Sequence, residues 1–142
     1  LKEWREKMDR NCIKKVKEYI EEHFTENILL DDIAKIAGYS KFHLNRLFLE
    51  NTGLTIYQYI KERRLLEAAN QLISTEKSII EIAFCVGYTS QQAFTFAFKQ
   101  KFLCTPQTFR KNFYICEMKK TFQINRNNRN AFFMLKNGGM TA

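Results

Sequence analysis

Two histidines and four cysteines are the residues here whose types suit metal ligation, acid–base work or nucleophilic attack, and their spacing supports none of these. Cys12, Cys85, Cys104 and Cys116 occur singly, with no C-x-x-C pair and no nearby histidine to complete a zinc site. They read as small buried hydrophobes of a reducing compartment. His23 and His43 stand alone, and the chain has no Gly-rich phosphate loop and no nucleophile elbow. The sequence therefore predicts no catalytic residue, no metal and no cofactor.

Charge is the more informative chemistry. The net charge of +8 is not spread evenly: residues 1–98 carry 14 basic and 14 acidic side chains, while residues 99–142 carry nine Lys/Arg against Glu117 alone. Such an imbalance suits a polyanionic partner, nucleic acid first and an anionic membrane second, with a solvated basic tail as the bland alternative. No apolar run approaches a membrane span and no signal peptide is visible, so the chain reads as cytoplasmic. Its first residue is Leu1 rather than Met, as in a processed or excised chain.

The elements that must position any such site are helical. One proline and five glycines in 142 residues are too few for an all-β fold, and 13 Phe supply a core. Seven helices are expected. The first, near 10–24, places Ile13, Val16, Tyr19, Ile20 and Phe24 on one face, with Asp9 as its cap. The second, about Leu30 to Ala37, has Asp31 and Asp32 in its first turn and stops at Gly38. The third follows Ser40 and turns Leu44, Leu47 and Phe48 inward before Gly53.

Thr55-x-x-Gln58 and Ser78-x-x-Glu81 are capping boxes that open the fourth and fifth helices. The fourth reaches about residue 73, with Ile56, Tyr59, Ile60, Leu66, Ala69 and Leu72 as its apolar positions. The seventh begins at Thr105-Pro106, a cap followed by proline at the first helical position. Between them lies GYTSQQAFTFAFKQKF (87–102), whose Phe94, Phe96 and Phe98 alternate as in a strand.

An internal repeat resolves that ambiguity. Residues 32–40, DIAKIAGYS, match residues 81–89, EIAFCVGYT, and with one inserted residue near Ser90 the match runs on. Leu44 pairs with Phe94, Phe48 with Phe98, Thr55 with Thr105 and Tyr59 with Phe109, so the unit recurs after about 50 residues. Phe94, Ala97, Phe98 and Phe102 then form the core stripe of a sixth helix and Phe96 points outward. A short helix, a Gly-containing turn and a second helix is a helix-turn-helix. The linking helix, about 18 residues, is ~27 Å long, close to the ~34 Å between successive major grooves on one side of B-DNA.

The run IAKIAGYSKFHLNRLFLENTG (33–53), then YIKERR (59–64), resembles the DNA-binding domain of the AraC/XylS family of bacterial transcription regulators. So does IAFCVGYTSQQAFTFAFKQKF (82–102) followed by T-P-x-x-F-R (105–110), and its Ser-Gln-Gln opening resembles the MarA, SoxS and Rob branch. The resemblance covers roughly residues 10–113. It implies an all-α domain over 1–113, with helix-turn-helix units at about 10–53 and 78–113 joined by a helix at about 56–73. It also implies a monomer that regulates transcription on promoter DNA, as an activator working with RNA polymerase at the bacterial nucleoid. A helical protein-interaction adaptor is the rival reading.

By the same resemblance, Phe42, Asn45 and Arg46 read bases from the third helix: Arg46 a guanine edge, Asn45 an adenine, Phe42 a thymine methyl. Gln91, Gln92, Thr95 and Phe96, beside Ala93, do so from the sixth. Ser40, Lys41, Ser90, Lys99, Arg110 and Lys111 position phosphates. Arg46 has a bland alternative, an i,i+4 pair with Glu50, and Phe42 another, packing under the Gly-Tyr turn.

The repeat pairs Arg46 with Phe96, where the family has a second arginine. That predicts either a half-site read loosely through Gln91, Gln92, Thr95 and thymine methyls, or a contact of Phe96 with polymerase or the chain's own tail. Residues 114–142, which include an apolar Phe-Phe-Met-Leu, lie outside the resemblance. They read as a basic arm or as the start of a C-terminal effector domain.

Overall fold

The apolar stripes each become the buried face of a helix. In the computed structural model, which describes residues 1–119, α1 (Lys2–His23) buries Ile13, Val16 and Ile20. The helix begins well before the expected cap. Nothing from Lys2 to Met8 disfavours a helix, so Asp9 falls in the interior, and its carboxylate accepts a hydrogen bond from the Tyr39 hydroxyl at 3.1 Å.

α2 (Leu30–Ala37) ends at Gly38, whose φ of 73° places it in the left-handed region. α3 (Lys41–Thr52) is capped by Ser40 and closes on Gly53. α4 (Ile56–Ser74) and α5 (Ile79–Cys85) each open with both hydrogen bonds of the expected capping box. α6 (Gln91–Phe102) is a helix, with Phe94, Ala97 and Phe98 buried. α7 starts at residue 106 and runs to 119, the last described residue. The 114 boundary expected from sequence therefore falls inside a helix, and the Phe-Phe-Met-Leu segment lies outside the described residues.

Two separate cores result. Ile13, Val16, Ile20, Ile33, Leu44, Phe48, Ile56 and Ile60 form the first. Leu65, Ala68, Leu72, Ile82, Val86, Phe94 and Phe98 form the second. α4 belongs to both, its first turns to one and its later turns to the other. The second core is the more aromatic: the Phe98 ring lies 4.4 Å from Phe102 and 5.4 Å, edge-on, from Phe109. In α4 it is Leu65, 1% exposed, that fills this core, while Leu66 is 45% exposed. Cys12 is buried as expected, but Cys85 and Cys116 are exposed.

Polar clamps fix α4 against its neighbours. Arg63 grips Glu21 of α1 with two hydrogen bonds of 2.5 and 2.7 Å. Arg64 donates to the carbonyls of Phe24 (2.6 Å) and Glu26 (2.7 Å), just beyond the end of α1. Glu62 pairs with Lys101 of α6. Arg110 of α7 repeats the device at the C-terminal end of α4, donating to Leu72 O at 2.9 Å and Lys77 O at 2.7 Å. None of the described helices is long and apolar enough to cross a membrane.

Candidate nucleic-acid interface

α3 and α6 are the second helices of the two units, and each is oriented by a serine at its start. Ser40 Oγ accepts from His43 N–H at 3.3 Å, and Ser90 Oγ accepts from Ala93 N–H at 3.2 Å. Each hydroxyl keeps its own hydrogen to donate to a phosphate. The Gly-Tyr turns before them set the angle between the paired helices, and Tyr39 is held by Asp9.

The outer face of α3 carries the expected residues side by side. Lys41, Phe42, Asn45 and Arg46 line a shallow groove of about 450 Å³ with Leu30 and Leu49. Phe42 is 87% exposed, so it does not pack under the turn. Arg46 stands 3.9 Å from Glu50, and both side chains are well exposed. A pair of that kind contributes little and yields readily to a better anion or base edge. Lys41 is engaged with Asp31 at 2.8 Å, again on the surface.

Two expected contact residues have other duties. Asn45 Oδ1 accepts the backbone N–H of Ile56 at 3.1 Å, tying α3 to the start of α4. A bidentate asparagine–adenine pair needs that oxygen as well as the amide nitrogen, so in this conformation Asn45 has only its Nδ2 to offer. Arg110, expected at phosphate, turns its guanidinium onto the carbonyls at the end of α4. Those orphan carbonyls are a nearer and fixed set of acceptors.

The outer face of α6 differs. Gln91, Gln92, Thr95, Phe96 and Lys99 line a larger groove of about 750 Å³ together with Ile80 and Phe84 of α5. Phe96 is 67% exposed, and the Thr95 side chain makes no hydrogen bond among the described residues. The reason is covalent. The repeat places Pro106 where the first unit has Ile56, and proline has no N–H for Thr95 to accept. Lys99 and Lys111 are exposed.

Sequence reasoning passed over Ile80 and Phe84, although the repeat already paired Phe84 with Lys35. It also passed over Arg64. Burial pushes the Arg64 guanidinium below the usual arginine range, yet it stays charged at any neutral pH. Among the described residues no group of His, Cys, Asp or Glu is arranged to hold a metal.

These two capped, outward-facing helices on one rigid linker are shared with known proteins. Residues 33–112 match the family described as helix-turn-helix domain. The chain is 46% identical over 100 residues to the Transposon Tn10 TetD protein of Escherichia coli, across 70% of this chain and 72% of that protein. It is 44% identical over 93 residues to the regulatory protein SoxS of Salmonella typhimurium, across 66% of this chain and 87% of that one. The solved DNA-binding domain of AdpA, a global transcriptional factor in complex with a target DNA, superposes with a TM-score of 0.68 at 25% identity, covering 71% of this chain and 91% of that one. The chain belongs to the AraC/XylS family of helix-turn-helix proteins. It is a DNA-binding transcription regulator, similar to SoxS.

Proposed function

We propose that this regulator binds promoter DNA as a monomer, with α3 and α6 entering successive major grooves, and that it activates transcription through contact with RNA polymerase. The observation that carries the reading is the mounting of two reading helices on one 19-residue helix, α4, tied at its middle by Arg64 and at its C-terminal end by Arg110. Such a helix is about 28 Å long, which suits the ~34 Å repeat of the major groove. The target DNA of AdpA and the regulatory name of SoxS support the same partner class.

Within this reading Arg46 takes a guanine edge and Phe42 a thymine methyl, while Gln91, Gln92, Thr95 and Phe96 face the second half-site. Ser40, Ser90, Lys41, Lys99 and Lys111 position the phosphates. The protein acts in the bacterial cytoplasm on nucleoid DNA, without a cofactor and without catalysis. Its relatives' regulatory names favour this over a helical adaptor.

The test is a footprint on selected promoter DNA, with affinity measured at several salt concentrations. Protection over about two helical turns by a monomer, with affinity falling steeply as salt rises, is the expected result. Binding that ignores salt, or no protection on any selected sequence, counts decisively against it.

A further inference from the structure

The two grooves differ in kind at the positions the repeat pairs. Asp31, Lys35, Lys41 and Arg46 of the first unit stand opposite Ile80, Phe84, Gln91 and Phe96 of the second, while Phe42 against Gln92 and Leu49 against Lys99 run the other way. The replacements are not buried. Ile80, Phe84 and Phe96 are all exposed and line the same groove beside Thr95. They add nothing to the second core, which is complete with Phe94, Phe98 and Leu72.

An exposed apolar wall on a DNA-reading surface needs an apolar ligand. Base edges in the major groove present one such group, the methyl on C5 of thymine. A guanidinium at the Arg46 position would seek the acceptors of guanine, whereas a phenyl ring there leaves those acceptors unpaired and gains by covering a methyl. Thr95, freed from capping by Pro106, can turn its own methyl to the same side.

We infer that the α5–α6 groove recognises pyrimidine C5-methyl groups, making the half-site under α6 thymine-rich, with Phe96 as the main reader and Phe84 and Ile80 as the wall behind it. The inference rests on the proposed DNA reading. It deepens it by turning the loose reading expected from the missing arginine, thymine methyls included, into a positive preference for thymine with Ile80 and Phe84 as part of the reading surface.

The experiment uses the full chain on a selected duplex. The α3 half-site is first assigned as the half that loses base discrimination in Arg46→Ala. Thymine is then replaced by deoxyuridine, which removes only the methyl, in one half-site at a time. Each contacted methyl removed under α6 weakens binding about fourfold, the value of one buried methyl group. Phe96→Arg loses that sensitivity and Phe96→Leu keeps it. Both variants melt as the parent does, because Phe96 is exposed.

A contacted T·A pair changed to C·G weakens binding, and methylating that cytosine on C5 restores about fourfold. Equal affinity for thymine and deoxyuridine under α6, with the two-turn footprint intact, overturns the methyl reading and leaves the DNA reading standing. Loss of the footprint on every selected sequence overturns both.

Discussion

The Arg64 guanidinium lies so close to Gly87 that a Cβ on that glycine would stand 3.1 Å from Arg64 Cζ and 2.8 Å from the Thr25 carbonyl oxygen. The turn of the second unit is thus seated directly on the arginine that ties α4 to the end of α1. Gly87 also has a φ of +91°, outside the range L side chains favour. Gly87→Ala is expected to lower stability by about 2–3 kcal/mol from strain and the clash with backbone. Gly38→Ala, with the same hand of φ but open space around it, should cost less. Urea unfolding of the two variants checks the order, and equal losses would refute the contact.

Asn45 and Thr95 occupy paired positions but only Asn45 has a donor to serve. Asn45→Ala is expected to destabilise the protein by about 1 kcal/mol, since Ile56 N–H loses its acceptor. Thr95→Ala should leave the melting temperature close to the parent's, because Pro106 offers no N–H. Thermal melts of both variants decide the matter. A large loss in Thr95→Ala would show a partner that the helix start does not explain.

Leu103 ends α6 in the left-handed region at φ 60°, where the first unit has Gly53 at 76°. Left-handed backbone costs an L residue about 1–2 kcal/mol, and glycine gives back about 0.5–1 kcal/mol in unfolded-state entropy. Leu103→Gly is therefore expected to stabilise the protein by about 0.5–1 kcal/mol net. The side chain is exposed, so no packing is lost. A lower melting temperature in the variant would sink the prediction.

Glu81 gives a pH dependence. Its carboxylate accepts the Ser78 backbone N–H at 2.7 Å, and that bond first, then the Ser78 side chain, holds its pKa below the ordinary 4.5. A pKa lower in the folded state means the unfolded chain takes up the proton first on acidification. The contribution is complete above the ordinary carboxylate range and is lost as pH falls through the folded value. Glu81→Gln keeps the box but cannot titrate. Its stability should fall less than the parent's between neutral pH and pH values below the ordinary 4.5, and parallel curves would contradict the assignment.

Arg46→Ala is expected to weaken binding to the preferred site by about 1–3 kcal/mol and to relax base preference under α3 alone. Stability should hardly change, because the pair with Glu50 is exposed. Competition binding against single-base variants of the site measures both effects. Uniform weakening across all variants would reassign Arg46 to phosphate.

The helix ends were legible from sequence because caps act within a turn: Ser40, Thr55, Ser78 and Ser90 each bond a backbone N–H three residues on. The repeat then supplied the architecture and the outward direction of Phe96. What escaped were interactions whose partners lie far along the chain. Arg64 meets carbonyls 38 and 40 residues away, and Arg110 reaches back 38 to Leu72. A basic residue on an exposed-looking stretch gives no local sign of such a partner.

Leu65 and Leu66 show a different limit. Each fits an apolar stripe along α4, but that helix faces one core in its first turns and another in its later ones. The buried face therefore shifts around the helix near residue 65, and a single stripe drawn along its length picks the wrong neighbour.

A two-fold dimer meets its operator in the same way from either end. This chain cannot, because its paired positions hold Arg46 in one unit and Phe96 in the other, fixed in order by α4. With the base contacts proposed above, turning the site end for end would lay the cation on the thymines and the phenyl ring on the guanine. The binding mode proposed above thus gives the site a polarity, and a monomer bound in that way points along the DNA like an arrow, with one flank always leading.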